Sequence, residues 1–403
     1  MPTVVLLGTL DTKGKEYDYL RDRLREQGVV VVLVDAGVFD PQATADVTNE
    51  EAARAAGADV QELAAGGDRG VAVETMARGA AAVVRKLHAE GRLDGILSVG
   101  GSGNSSIAGI AMCELPVGVP KLIVSTVASG DTRPYVGASD VTMMYSVVDI
   151  SGINQISARI LTNAAGAIVG MAKATVPPLG ATKPLVTASM FGVTTPCVTT
   201  ARERLEELGY EVLVFHQTGT GGQSMEELMK GGFITASLDV TTTELCDELV
   251  GGVLPAHPER LEVAGSLGIP QVVSLGALDM VNFGPMETVP ERFKGRNLYV
   301  HNPTITLMRT TPEECAELGR RIGRKLSAAK GPTALFLPLK GVSMIAVEGQ
   351  VFHDPEADAA LLEGLRETLS PTVEVHELET DVNDPEFALA MANRLHEMVE
   401  EGR

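Results

Sequence analysis

The chain has 403 residues, 44% hydrophobic and 21% charged, a balance that excludes a disordered polymer and predicts about two domains. Its 53 acidic against 33 basic residues give a formal net charge of −20, which argues against a broad nucleic-acid-binding face. Cys113, Cys197, Cys246 and Cys315 show no metal-ligand spacing, and no apolar run is long enough to cross a membrane. The expectation is a cytoplasmic, non-membrane protein with reduced thiols and no signal peptide.

Aromatic residues are 4% of the chain with no Trp, so the core is read as small aliphatic side chains of the kind that fill parallel sheets. Thr3 to Leu7 is an aliphatic strand closed by Gly8. A polar loop, Thr9-Leu10-Asp11-Thr12-Lys13-Gly14, then leads to a helix near 15–27 stopped by Gly28. This loop is not a P-loop: it has one residue too many between its glycines, and Glu16 follows Lys15 where Ser or Thr should bind magnesium. A second strand over 29–34 ends at Asp35, where dinucleotide folds place an acid for a ribose hydroxyl. Thr48-Asn49-Glu50-Glu51 spells a capping box, and 71–88 has the apolar spacing of a longer helix.

The apolar run 95–98 then enters Val99-Gly100-Gly101-Ser102-Gly103-Asn104-Ser105-Ser106. A buried strand running into three glycines, with a helix after it, can cradle an anion on backbone N–H groups; an ordinary turn is the alternative. Ser106 stands where a dinucleotide fingerprint needs its third glycine, and Ser102 replaces the acid of the Gly-Gly-Asp-Gly kinase loop. Strands over 121–125 and 142–148 follow. Thr126, Ser129 and Gly130 lie after the first of these, on what should be the same sheet edge. The helix over 154–172 is rich in Ala and Gly and suits close packing.

Val176-Pro177-Pro178-Leu179-Gly180 reads as a domain boundary, dividing the chain into 1–180 and 181–403. Beyond it the pattern restarts with a strand over 185–190, a helix over 196–208 and a strand over 211–215. Sliding the first half by 181 residues puts Asp35 on His216. Thr218, Gly219, Gly221 and Gly222 form a second glycine loop after that strand. Capping boxes are expected at Ser224–Glu227, Thr241–Glu244 and Thr311–Glu314. Further strands are expected over 271–274, 298–300, 333–337 and 372–376, and Asp384-Pro385 opens a last helix. The fold class is therefore α/β, with two Rossmann-like doubly wound domains and mostly parallel sheets.

The segments Gly8–Gly14, Val99–Asn104 and Phe215–Gly222 resemble those of the Tm-one-like ATP-binding family, as do Leu337-Pro338-Leu339-Lys340-Gly341-Val342-Ser343 and Phe352–Asp358. The resemblance implies two Rossmann-like subdomains, ATP bound with magnesium, and a homodimer. On that reading Gly8, Thr9, Asp11, Thr12 and Lys13 form one wall of the ATP site and Gly100, Gly101, Ser102, Gly103, Asn104 and Ser105 the other. Thr126, Ser129 and Gly130 complete its rim. Lys13 neutralises phosphate charge, Asp11 orients magnesium, Asp35 meets the ribose, and Thr218–Gly222 closes over the ligand or holds a co-substrate. Two alternatives stay open: an ATP-dependent kinase or ligase acting on a small metabolite between the domains, with His216 or Asp239 activating the acceptor, and a nucleotide-responsive scaffold.

Overall fold

A computed structural model describes residues 1–177 and 182–402, in two compact units, Met1–Pro178 and Leu179–Arg403. The expected boundary stretch 176–180 lies partly outside the described residues.

The N-terminal unit runs β1 (Thr3–Gly8), α1 (Leu10–Glu26), β2 (Val30–Asp35), α2 (Asn49–Ala55), α3 (Val60–Gly66), α4 (Arg69–Ala89), β3 (Gly95–Gly100) and α5 (Ser102–Cys113). It ends with β4 (Lys121–Ser125), α6 (Arg133–Val136), β5 (Thr142–Tyr145) and α7 (Gln155–Lys173). Its sheet is parallel, in the order β2-β1-β3-β4-β5. Alternation along β1 shows why the strands read as unbroken aliphatic runs. Val4 and Leu6 face a core shared with α1 and α7, while Val5 and Leu7 face one shared with α4 and α5. Leu10, Leu20 and Leu24 of α1 are fully buried there, each stabilising the unit by about 1.5–3 kcal/mol. Because β1 connects outward to β2 and β3 connects the other way to β4, a crevice opens between the carboxyl ends of β1 and β3.

The C-terminal unit runs β6 (Leu185–Met190), α8 (Thr195–Glu207), β7 (Glu211–His216), α9 (Thr220–Lys230), β8 (Ile234–Thr241), α10 (Glu244–Val250), α11 (Val263–Leu267) and β9 (Gln271–Gly276). There follow β10 (Met280–Phe283), β11 (Leu298–Asn302), β12 (Ile305–Arg309), α12 (Pro312–Ser327), β13 (Thr333–Pro338), α13 (Pro355–Thr368), β14 (Glu374–Leu378) and α14 (Pro385–Glu401). Its parallel sheet has the order β14-β13-β9-β8-β6-β7, the N-terminal pattern with one more strand. A three-stranded antiparallel sheet, β10-β12-β11, is inserted after β9.

The sequence reading missed β8, β10 and β12. In β8 the apolar run is broken by Ser237 and Asp239, whose polar atoms are spent inside the fold. The expected boxes at Thr48 and Thr311 form, and Asp384 caps α14. Those at Ser224 and Thr241 do not. Helix α9 already starts at Thr220, leaving Ser224 inside it, and α10 starts without a side-chain cap because Glu244 bonds elsewhere.

Candidate functional site

The crevice between β1 and β3 is held open by one aromatic peg. Tyr17 of α1 is fully buried, and its hydroxyl donates to the Leu7 carbonyl at 2.6 Å and accepts from the Val99 N–H at 2.9 Å. Burial pushes this phenol up to about 12, so it remains a neutral donor. Gly8 is required beneath it, because a Cβ there would lie 2.0 Å from the Tyr17 ring. Gly8 therefore supports the site from behind and does not itself line the cleft.

Above the peg lies a cleft of about 590 Å³. Thr9, Asp11, Thr12 and Lys13 line one wall, and Gly101, Ser102, Gly103 and Asn104 line the other. The expected polar loop after β1 is mostly the first turn of α1, which starts at Leu10 and is interrupted by a non-helical Lys13. The Lys13 ammonium donates to the Ile150 carbonyl. Ser102–Ser106 is likewise the start of α5 rather than an extended loop. No side chain caps α5, so its first amides have no partner within the helix. Asn104 is only 7% exposed; its Nδ2 donates to Ser98 Oγ at 2.8 Å, while its Oδ1 has no partner.

Asp11 Oδ2 accepts from the amides of Val38 and Phe39, both at 3.2 Å, and fixes the loop after β2; its Oδ1 is unpartnered. That leaves one unpaired carboxylate oxygen, buried beside Gly37. Among the described residues no group of three or more His, Cys, Asp or Glu side chains could hold a metal. A magnesium ion here would depend on water and ligand phosphates for its remaining positions, as that ion commonly does.

Several expected contacts are corrected. Asp35 is fully buried and accepts from Leu10 N at 3.0 Å and Gly37 N at 2.8 Å, so it ties α1 to β2 below the cleft instead of meeting a ribose. Burial pushes its carboxyl up. Ser105 is also fully buried, its hydroxyl shared between the Gly101 carbonyl and Ser125 Oγ. Gly100 sits under the Asn104 side chain. Thr126, Ser129 and Gly130 do not line the cleft; Thr126 stays beside it, its N–H donating to the Gly100 carbonyl at 3.3 Å and its hydroxyl lying 3.7 Å from where a Cβ on Gly101 would be.

The outer wall was missed from sequence. The β2–β3 crossover carries three helices, and Leu63, Ala72, Val73 and Met76 from it make an apolar face opposite the helix ends. Phe39, 60% exposed, stands at the lip. Arg69, first residue of α4, lines the same cleft. The signal was present in Asp68-Arg69-Gly70, an N-cap followed by a cation, two residues before the expected helix start.

The second glycine loop has a different role. Glu244 Oε1 accepts from Gly219 N at 2.6 Å and Gly222 N at 3.2 Å, so a carboxylate of this chain occupies the start of α9. Burial pushes that carboxyl up, against the pull of Arg260 and the two amides. Gly221 must be glycine here, since its Cβ would lie 1.8 Å from the His216 carbonyl oxygen. Thr218 is turned back, its hydroxyl donating to that same carbonyl at 3.4 Å. Arg260, wholly buried, donates to both oxygens of Asp239, at 2.5 and 2.7 Å, and to Glu244 Oε2 at 3.1 Å. Asp239 is thereby held in a buried ion pair, with Ser189 also donating to it. His216 is exposed at the end of β7, its ring packed 5.2 Å from that of Phe191 and tilted by 33°.

Close by, Asp247 accepts from Asn282 N at 2.7 Å and Leu254 N at 2.8 Å, yet burial pushes its carboxyl up to about 7. Asp279 is pushed up to about 6 for the same reason. The folded chain thus holds these protons more tightly than the unfolded chain. Their contribution to stability is full below about pH 4 and is lost as pH rises towards 7. Urea unfolding at pH 5, 6, 7 and 8 is expected to show stability falling by a few kcal/mol. Asp247→Asn should flatten most of that slope, although its amide would face the Leu254 N–H and lower stability at every pH. An unchanged slope in the variant would refute the assignment.

Two family models cover most of the chain. The N-terminal domain of Uncharacterised protein family (UPF0261) matches residues 2–177, and the C-terminal domain of the same family matches residues 183–399. A UPF0261 protein of Clostridium tetani is 55% identical over 98% of this chain and 99% of its own length. One from Rhizobium meliloti is 47% identical over 97% of each. The tomato ToMV resistance protein Tm-1(GCR237) is 38% identical over the whole of this chain, which spans 56% of that protein's length. Among solved structures, the MurG of Acinetobacter baumannii aligns over 100% of this chain and 95% of its own at 12% identity, with a TM-score of 0.22 that is too low to inform the fold. Matched along both halves, the chain belongs to the UPF0261 family, and the tomato Tm-1 proteins are among its relatives.

Proposed function

We propose that the N-terminal unit is a nucleotide-binding module, with ATP as the ligand its family resemblance implies. The observation that carries this reading is the two-sided character of the cleft. On one side the starts of α1 and α5 converge with Lys13 and Arg69, an arrangement that suits phosphates. On the other side Val73, Met76, Ile107 and Phe39 offer the apolar surface that a base requires. Magnesium would be held through Asp11 Oδ1, with phosphate oxygens and water as its other ligands. The same reading takes the protein as a cytoplasmic homodimer; among the described residues no helix is long and apolar enough to cross a membrane.

Isothermal titration of the full chain with ATP and magnesium tests the site. A variant carrying both Lys13→Ala and Gly103→Val is expected to lose at least tenfold in affinity, since it removes a cation and fills the space above the first amides of α5. Thermal unfolding of the variant, measured in parallel, should stay near that of the parent. Undiminished ATP binding would mean that the site lies elsewhere.

A further inference from the structure

The β2–β3 crossover is longer than a nucleotide fold needs, and it contributes a cation at one defined place. Asp68 Oδ1 accepts from Gly70 N at 2.9 Å and Val71 N at 3.1 Å, which fixes the first turn of α4 and the residue it presents. That residue is Arg69. Its Nη2 lies 3.5 Å from where a Cβ on Gly103 would be, so the guanidinium hangs over the first turn of α5. Among the described residues its side chain makes no hydrogen bond or ion pair, although the chain as a whole is strongly acidic.

An unpaired guanidinium beside a helix start lacking a capping side chain lets one anion accept from both, from the Arg69 fork and from the first amides of α5. A separate observation also marks this place as a ligand site. Asn104 lines the cleft with its side chain more than nine-tenths buried, and its Oδ1 lacks a donor. Such an oxygen is satisfied by a ligand hydroxyl or by metal-bound water. Anionic groups above Gly103 and donors beside Asn104 together describe a phosphorylated, hydroxyl-bearing ligand.

We propose that Arg69 is a phosphate clamp, carried at the first position of α4, which holds the ligand's phosphates against the first turn of α5. This rests on the nucleotide reading of the cleft. It adds that affinity for the phosphate part depends on a residue outside the strands and loops of the nucleotide fold. Lysine would keep the charge at this position but lose the planar fork that grips two oxygens.

The test compares the full chain with Arg69→Ala and Arg69→Lys in calorimetric titrations with ATP, inorganic tripolyphosphate and adenosine. Because Arg69 is exposed and unpaired, thermal unfolding of both variants should match the parent. Arg69→Ala is expected to weaken ATP and tripolyphosphate about 10- to 100-fold and adenosine less than about twofold, with Arg69→Lys between variant and parent. Unchanged ATP affinity in Arg69→Ala would overturn the clamp and leave the nucleotide reading standing. An equal loss for adenosine and ATP would also overturn it, by making Arg69 part of the apolar wall. If the parent binds tripolyphosphate as tightly as ATP and adenosine not at all, the nucleotide reading fails while the clamp is still judged on tripolyphosphate. A parent that binds none of the three removes both.

Discussion

Arg260→Ala is expected to destabilise the C-terminal unit by about 3–5 kcal/mol, because it removes the guanidinium that Asp239 and Glu244 share in the buried interior. Asp239 loses both of its guanidinium bonds and Glu244 loses one, while Glu226, whose Oε1 lies 3.6 Å from Arg260 Nη1, is left with the Leu261 amide and His257. The loss should depend on pH with a definite sign. Without the cation these carboxyls hold protons more tightly in the folded state than in the unfolded one, so the deficit shrinks on acidification and grows towards neutral pH. Urea titrations of the parent and variant chains at pH 5 and pH 8 measure both effects. A deficit below about 1 kcal/mol at pH 8 would mean that the cluster adds little to stability.

The same cluster shows why the two glycine loops could not be told apart in the sequence. Both follow a parallel strand, both open a helix, and both present small residues whose backbone amides can meet an anion. In the C-terminal unit Glu244 provides that anion, 22 residues beyond Gly222 and after another strand, so no local spacing reveals it. Among the described residues no such carboxylate meets the first turn of α5 in the N-terminal unit. Strand positions were legible where burial on both faces forces an unbroken aliphatic run, as in β1, β3 and β13. They were illegible in β8, where Ser237 and Asp239 bond inside the fold to Thr187, Ser189 and Arg260 and so break the apolar pattern. Asp35 illustrates the remaining limit. Its place at the end of the second strand was plain, but which way its carboxyl turns is decided by the amides of Leu10 and Gly37.

Gly8→Ala is the sharpest probe of how the cleft is held open. The added methyl would overlap the Tyr17 ring, which is buried on every side, so either the ring or the β1–α1 connection must move, at a cost of about 3 kcal/mol or more. Tyr17→Phe keeps the ring and removes only the hydroxyl, leaving the Val99 N–H unpaired in the core at a cost of about 1–3 kcal/mol. The clash itself is isolated by a double-mutant cycle. Tyr17→Ala opens the space that the alanine at position 8 needs, so Gly8→Ala added to Tyr17→Ala should cost at least about 1 kcal/mol less than Gly8→Ala alone. Additive losses would show that position 8 and the ring do not compete for the same volume. Because Tyr17 bonds β1 and β3 at the point where the sheet diverges, displacing it shifts the first turns of α1 and α5 relative to each other. At a temperature where the Gly8→Ala chain is still folded, its affinity for ATP should therefore fall at least as far as that of Arg69→Ala, although position 8 does not line the cleft.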